Sequence, residues 1–496
     1  MISQPASSSV KQSSIFKRVA SPDSESGLAF RFILLTLALA SILEIFVGCA
    51  RFHSRPISAW ANAEALEGRS LTNAELKLIL EKNLHRDFDN WLAVEWDFNM
   101  LTLAAFYYHP SLEVARAQWA VAQGGEKTAG QRPNPTLTAT PTYNFTTLVP
   151  SPWDPVGFID VPIETAGKRK YRRAQAANLS EAARLNIATT AWQVRSAVRS
   201  SLLDFAAAGQ REAALEKQVS VQEEILRRQD QQANLGEIAA SESLVVRIAL
   251  EKARFDMAEA RRQGVEARAR LAEAIGVPLR ALKEVRFASG LPKDAGRIAE
   301  LTSSEVRRVA LQTRPDILGA LAEYAASQSA LQLEIAKQYP DVHLQPGYEF
   351  DQGDSKWSLG LTVELPVLNQ NQGPIAEAEA RREEAAARFN ALQAKVLAEI
   401  DSAIDVFRIS ETNSNALRAL AEAQAKRRDS IAAQFKVGAV NQLDLLNAQF
   451  EYATAELVQL ESQIKLQQAA AAVEDAVQRP FELPDEIFHS RRTDAH

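Results

Sequence analysis

VHLQPGYEFDQGDSKWSLGLTVEL, residues 342–365, is the stretch whose reading decides the fold. Val342, Leu344, Pro346, Tyr348 and Phe350 alternate with Asp341, His343, Gln345, Gly347 and Glu349, and Trp357, Leu359, Leu361, Val363 and Leu365 alternate with Ser358, Gly360, Thr362 and Glu364. A period of two is the pattern of a strand with one apolar and one polar face. The polar residues 351–356 between the two runs supply a turn, so the stretch reads as a hairpin.

Outward from this hairpin the chain repeats itself. Arg314-Pro315-Asp316-Ile317 opens one block and His109-Pro110-Ser111-Leu112 an earlier one; at that fixed offset Pro135 matches Pro340, Tyr143 matches Tyr348 and Phe145 matches Phe350. With small insertions and deletions, Pro162 falls on Pro366, Gly167 on Gly373, Gly236 on Gly438, Leu271 on Val473 and Pro278 on Pro480. This is one long duplication and not a short solenoid period. In the earlier copy Leu137, Ala139, Tyr143 and Phe145 alternate with Thr136, Thr138, Thr142 and Asn144, and a second strand is expected within residues 153–163.

After each hairpin the period becomes helical, through Ile187, Ala191, Val194, Val198, Leu202 and Phe205 in the first copy and Phe389, Leu392, Val396, Ile400, Ile404 and Phe407 in the second. From Gly167 to Gly236, and from Gly373 to Gly438, a mostly continuous helix at ~1.5 Å per residue reaches roughly 100 Å. The returning helix of the second copy places Leu443, Leu446, Phe450, Ala453, Leu457, Leu460 and Ile464 on a 3-4 heptad spacing, the seam of a supercoiled pair. Leu244, Ile248 and Phe255 hold the matching positions of the first copy, where Arg262 replaces Ile464 and weakens the seam.

Strands with one apolar and one polar face fit a membrane β-barrel. Four cannot close a ring, because single-chain barrels begin at about eight strands and open edges are not tolerated in hydrocarbon. The subunit must then pool its hairpins with other copies, as a dimer of eight strands or a trimer of twelve. The plain alternative is a pair of soluble hairpins capping a coiled-coil rod.

The remaining composition narrows the function. A net charge of −6 offers no basic field for a polyanion, which argues against nucleic acid. The one cysteine, Cys49, excludes an intramolecular disulfide and a multi-cysteine metal cluster. It follows the apolar run FILLTLALASILEIFVG (residues 32–48), which is short for a membrane span and reads as a signal-peptide core. Phe46-Val47-Gly48-Cys49 resembles a bacterial lipobox, which makes Cys49 a lipidation candidate; a plain secretory signal also exports the chain. The six histidines show no i, i+4 pair or ligand cluster, and no GxSxG, HExxH or dinucleotide glycine pattern is present, nor does Gly124–Gly130 have phosphate-loop spacing. We therefore expect no enzyme activity, no metal site and no cofactor.

The duplicated helix, hairpin and long-helix pattern over residues 92–480 resembles the TolC family of outer-membrane efflux proteins. Pro133-Asn134-Pro135 before the first strand and the wording PIETAGKR at 162–169 after the second are most similar to its heavy-metal, cobalt-zinc-cadmium branch. The resemblance implies a mainly α fold with a small β part: a homotrimer whose four strands per subunit form a shared twelve-stranded barrel in outer-membrane lipid, continued by a long periplasmic α-helical barrel. It implies as partners a periplasmic adaptor (membrane fusion) protein and an inner-membrane pump of the resistance-nodulation-division type. The expected cargo is heavy-metal cations; drug efflux, protein secretion and a non-conducting envelope spacer are the alternatives. The family's helical tips align with Leu235-Gly236 and Val437-Gly438, the candidate adaptor contacts, although each glycine is also explained as a simple helix C-cap.

The family's aperture acids align with Asp444 and Asn447 in the second copy and Glu242 in the first, so one acid is replaced by an amide, and Val440 stands where a basic partner is expected. Repeated by symmetry, Asp444 would focus cations at a narrow mouth; the ordinary reading is an exposed helix face. Lys168, Arg169, Lys170, Arg172 and Arg173 at the first long helix suit anionic head groups or, equally, a solvated face. The expected layout is a signal over 1–48, an N-terminal segment over 49–91, repeats over 92–278 and 314–480, a connecting segment over 279–313 and a tail over 481–496. The segments outside the repeats are expected to pack around the middle of the tunnel or to stay mobile.

Overall fold

The computed structural model describes residues 52–88, 91, 94–145, 150–283, 285–288 and 303–480; the signal segment, Cys49 and the tail 481–496 lie outside the described residues. The chain divides into two units at Glu64. The described part of the first holds residues 52–58 and the start of helix α1 (Ala59–Glu67), which buries none of its residues.

The second unit begins with α2 (Ala74–Leu84), β1 (Glu95–Trp96) and α3 (Phe98–Tyr108), the last capped by the Asp97 carboxylate, which accepts from the Met100 N–H at 2.8 Å. The first copy of the duplication runs through α4 (Pro110–Gly130), β2 (Thr136–Tyr143), β3 (Trp153–Ile163), α5 (Lys168–Asn234) and α6 (Ala240–Ile275). A 3-10 turn (Leu279–Lys283), β4 (Arg286–Phe287) and α7 (Ser303–Thr313) connect to the second copy, which repeats the order as α8 (Pro315–Ala336), β5 (Val342–Asp351), β6 (Asp354–Val363), α9 (Gln372–Lys436) and α10 (Gln442–Val477). Pro110 and Pro315 start α4 and α8, where a missing N–H costs nothing.

The helices form columns. With 67 and 65 residues, α5 and α9 are each about 100 Å long, whereas α6 and α10 have 36 residues each and return only part of the way. The missing length is made up by α4 and α8. Both α4 and α6 pack on α5; both α8 and α10 pack between α5 and α9. The order across the layer is therefore α4 and α6, then α5, then α8 and α10, then α9, which makes the α4 and α6 column and α9 its two ends.

Each broken column is joined by a tight contact. Gly276, φ +83°, ends α6 so close to the end of α3 that an added Cβ would sit 2.9 Å from the Tyr108 carbonyl oxygen. The Arg69 guanidinium closes this joint, donating to the carbonyls of Tyr108 at 2.7 Å and Gly276 at 2.8 Å. In the second copy Gln478 takes the left-handed position, φ 51°, and Arg314 donates to the Ala476 carbonyl at 2.6 Å.

One side of the layer is covered. The N-terminal segment and the connecting segment share a core, in which Leu76, Trp96, Leu101 and Ala105 pack with Val198 of α5, Leu271 and Ile275 of α6 and Leu282, and β1 pairs with β4 in parallel. Buried charges cross the same region: Arg195 and Arg199 of α5 both pair with Glu474 of α10, which is 1% exposed, and both stack on the Phe98 ring. Asp475 accepts from Trp192 Nε1 at 3.1 Å and from the Ser196 hydroxyl at 2.6 Å.

Three expectations are corrected. The turn of the second hairpin is not residues 351–356 but Gln352-Gly353 alone, with φ 51° and 106°, the two left-handed positions of a tight two-residue connection. The counterpart of Gly167 (φ 74°) is Asn371 (φ 64°), each the residue before its long helix; Gly373 lies inside α9. The seam of the first copy is not formed within the chain: Ile248 and Phe255 are 64% and 69% exposed and Leu244 is exposed, while Leu250, Ala253, Ala260, Ala267 and Leu271 are buried. In the second copy Leu446, Ala453 and Ile464 of the expected seam are buried.

Gly276→Ala meets backbone and needs a positive φ, so it should lower the unfolding temperature far more than Gly236→Ala, which meets nothing within 4 Å and bears only the left-handed penalty of about 1–2 kcal/mol; thermal melts of the detergent-solubilised proteins compare them. Glu474→Ala strands two buried guanidinium groups and should cost about 3–5 kcal/mol. Burial pushes the Asp475 carboxyl up, against the opposing pull of Ser196 and the two arginines. The folded chain thus holds that proton more tightly than the unfolded one, a contribution present at low pH and lost as the pH rises through the raised value. Asp475→Asn should be tolerated at neutral pH and should flatten that part of the stability profile.

Candidate functional site: the sheet, its collar and the helical tips

The strands form one sheet in the order β2-β3-β5-β6, with every neighbouring pair antiparallel. Strands of 10 and 11 residues suit a tilted membrane crossing, which takes about 9–11. The register puts Leu137 opposite Ile159, Val161 opposite Leu344, Leu344 opposite Leu361, Tyr143 opposite Trp153 and Tyr348 opposite Trp357, all on one face. That face is bare, with Trp357 82% exposed. Its aromatic residues gather near the hairpin ends, Tyr143 and Trp153 with ring centroids 4.9 Å apart and Tyr348 and Trp357 5.0 Å apart, as in the aromatic girdles of membrane barrels. The other face carries four threonines of β2, Asp154, Asp160, His343, Gln345, Glu349, Lys356 and Thr362; His343 Nδ1 lies 3.0 Å from the Asp160 carboxylate. β2 and β6 end the sheet with unpaired edges among the described residues.

At the base of the sheet the basic cluster holds the structure together. Arg169 Nε donates to the Gly130 carbonyl at 2.7 Å; Arg172 donates to the carbonyls of Ala129 and Gln131, each at 3.0 Å, and grips Glu164 through both nitrogens of its fork. Cations are favoured at these last carbonyls of α4 by the helix dipole. Lys168 reaches Asp341 at 2.8 Å, and the Thr165 hydroxyl donates to the Pro340 carbonyl, so the end of the first hairpin is tied to the start of the second. Lys170 and Arg173 remain exposed.

At the opposite end of the long helices the two tips have the same turn. Gly236 and Gly438 have φ of +76° and +75°; the Gly236 and Glu237 N–H groups return to the carbonyls of Ala233 and Gln232, and those of Gly438 and Ala439 to Phe435 and Gln434. This is the Schellman closure that only glycine adopts without strain. Leu235 and Val437, beside the glycines, are 75% and 80% exposed.

The return helices then differ. Asn441 caps α10, accepting from the Asp444 N–H at 2.9 Å while its own N–H donates to Asp444 Oδ2 at 3.2 Å, a reciprocal capping box. In α6 the corresponding residue is Ala239, which has no side-chain cap, and Glu242 stands exposed in the first turn. Asp444 and Asn447 are exposed one turn apart on α10. The Asn-x-x-Asp spacing was legible in the sequence, but its cap role was missed. No group of three or more His, Cys, Asp or Glu residues is arranged for a metal ion among the described residues, and no described helix is long and apolar enough to cross a membrane.

The family model for outer membrane efflux proteins matches residues 105–277 and again residues 306–477, once on each copy of the duplication. The chain belongs to this family. Among its relatives, the cobalt-zinc-cadmium resistance protein CzcC of Cupriavidus metallidurans is 22% identical over 294 residues, 59% of this chain and 69% of that protein. The fold is that of solved outer-membrane channels. The OprN channel superposes with a TM-score of 0.63 at 17% identity, covering 87% of this chain and 99% of that one. The outer membrane protein VceC of Vibrio cholerae also gives 0.63, at 18% identity, covering 78% and 97%. CusC gives 0.61 at 16% identity, covering 87% and 99%. This outer membrane efflux protein is thus a channel of tripartite efflux systems with a long periplasmic helical extension, and not an enzyme.

Because Asp444 completes a capping box and Glu242 does not, Asp444→Ala should speed amide hydrogen exchange over the first turn of α10 by about 5–10-fold, a loss of about 1 kcal/mol. Glu242→Ala should leave α6 almost unchanged in the same measurement.

Proposed function

We propose that this outer membrane efflux protein is the exit duct for heavy-metal cations, working as a homotrimer with a periplasmic adaptor and an inner-membrane pump of the resistance-nodulation-division type. The observation that carries the reading is the coincidence of open edges. The sheet ends on β2 and β6, the helical layer ends on the α4 and α6 column and on α9, and the exposed Leu244, Ile248 and Phe255 lie on that first column. A neighbouring copy would close both layers at once, giving twelve strands and twelve helical columns from three subunits. The apolar seam read in α6 then has its partner in the next subunit. The alternative of a lipid-tethered spacer leaves the bare aromatic face of the sheet without a solvent that suits it.

Metal cargo is favoured over drugs or secreted proteins by the similarity to a cobalt-zinc-cadmium resistance protein. The exposed Leu235 and Val437 tips are the adaptor contacts, with glycine turns that hold them rigidly outward. Asp444, Glu242 and the neutral Asn447 ring the aperture, where repeated carboxylates raise the local cation concentration. Cys49 carries the lipid.

Single-channel recording in planar bilayers tests the duct. The purified protein should have the native mass of three chains and conduct with cation preference; a Glu242→Ala, Asp444→Ala double variant should conduct with that preference reduced by about twofold or more. Absence of current from intact oligomers would favour the spacer.

A further inference from the structure

The helical layer has a second, uncovered side, and at mid-length that side contains a charged cavity. On α5, Val198 and Leu202 face the covering core, whereas Asp204 and Arg211 stand more than about 100° further round the helix. On α6, Arg268 reaches the Leu282 carbonyl on the covered side, and Gln263 and Arg270 point the other way. On α10, Glu474 turns toward Arg199 and Phe98, and Glu461 and Lys465 turn away. The residues that turn away meet around a cavity of about 280 Å³ between the three helices.

Cations outnumber acids there. Arg270 lies 3.5 Å from Asp204 and Arg211 lies 3.4 Å from Glu461 and donates to Gln263 Oε1 at 3.0 Å, while Lys465, which also lines the cavity, has no ion-pair partner among the described residues. Both pairs are long and about one-third to one-half exposed, the class of ion pair that solvent screening leaves weakly held. An incoming dianion can therefore draw both guanidinium forks away from their partners, and such forks match the paired oxygens of carboxylate and phosphate.

We infer that this cavity is a binding station for anionic groups, carboxylate or phosphate, carried by or accompanying the cargo half-way along the tunnel. The inference rests on the duct reading, in which the uncovered side lines the lumen and the station occurs three times per channel. It deepens that reading by dividing the path electrostatically. The acidic mouth collects cations, and the middle wall selects those that travel with an anionic ligand over free ones.

Bilayer recording of the full-length trimer in a chloride background, with inorganic phosphate or succinate added, tests it. Wild-type current should fall in the presence of either dianion, with an Arg270→Gln, Lys465→Glu double variant needing about tenfold more anion for the same effect. Lys465→Arg should behave as wild type, which separates lost charge from a damaged fold. An effect of one dianion alone would identify the group the station takes. Normal current that neither dianion alters, or alters equally in wild type and double variant, overturns the station and leaves the duct standing. Calorimetric titration of phosphate and succinate into the solubilised proteins reads the same site without current. Binding that depends on Lys465 in a protein that does not conduct would uphold the station and count against the duct; no binding of either anion would overturn it.

Discussion

A strand edge with unpaired N–H and C=O groups cannot be left in hydrocarbon, and the rest of this structure answers to that constraint. The sheet has a lipid-type face and, among the described residues, two open edges, which the proposed trimer would close with the edges of other copies. The helical columns that continue from the strands have no unpaired backbone edge, and what one of them leaves exposed is side chains, Leu244, Ile248 and Phe255. The collar of Lys168, Arg169 and Arg172 is where the two layers are fastened, with guanidinium groups satisfying the terminal carbonyls of α4 beside the strand ends.

Most of the fold was legible from periodicity. The strands of both hairpins, the two unusually long helices and the return helices follow from whether apolar residues recur every second or every third and fourth position. What periodicity does not contain is the identity of the partner. Leu244, Ile248 and Phe255 repeat as a coiled-coil seam does, but a seam looks the same whether it meets a helix of its own chain or one of another copy. Residue matching also failed where geometry outlived chemistry: Gly167 and Asn371 share a left-handed backbone, and aligning glycine with glycine placed the second long helix two residues off.

The candidate site was legible in part, for the same reason. The tips were found because a glycine turn between two long helices leaves a signature that depends on local backbone alone. The basic cluster was visible as a cluster, yet its purpose depends on carbonyls about forty residues earlier in the chain, which no local pattern discloses. Arg195, Arg199 and Glu474 sit in helices whose charge content is unremarked in sequence, and only folding shows that they are buried on one another.

The alternation of unbroken and jointed columns limits how such a protein can change in size. α5 and α9 run the full distance, and their neighbours are each assembled from two shorter helices meeting at Gly276 or Gln478. A lineage that lengthened the tunnel would have to insert whole heptads in α5 and α9 together, and matching ones in α4 or α6 and in α8 or α10, or every side chain beyond the insertion would turn to the wrong face. The segments that leave the columns at the joints carry no such obligation. Variation in length among related tunnels should therefore come in discrete steps, and variation in content should accumulate at the waist.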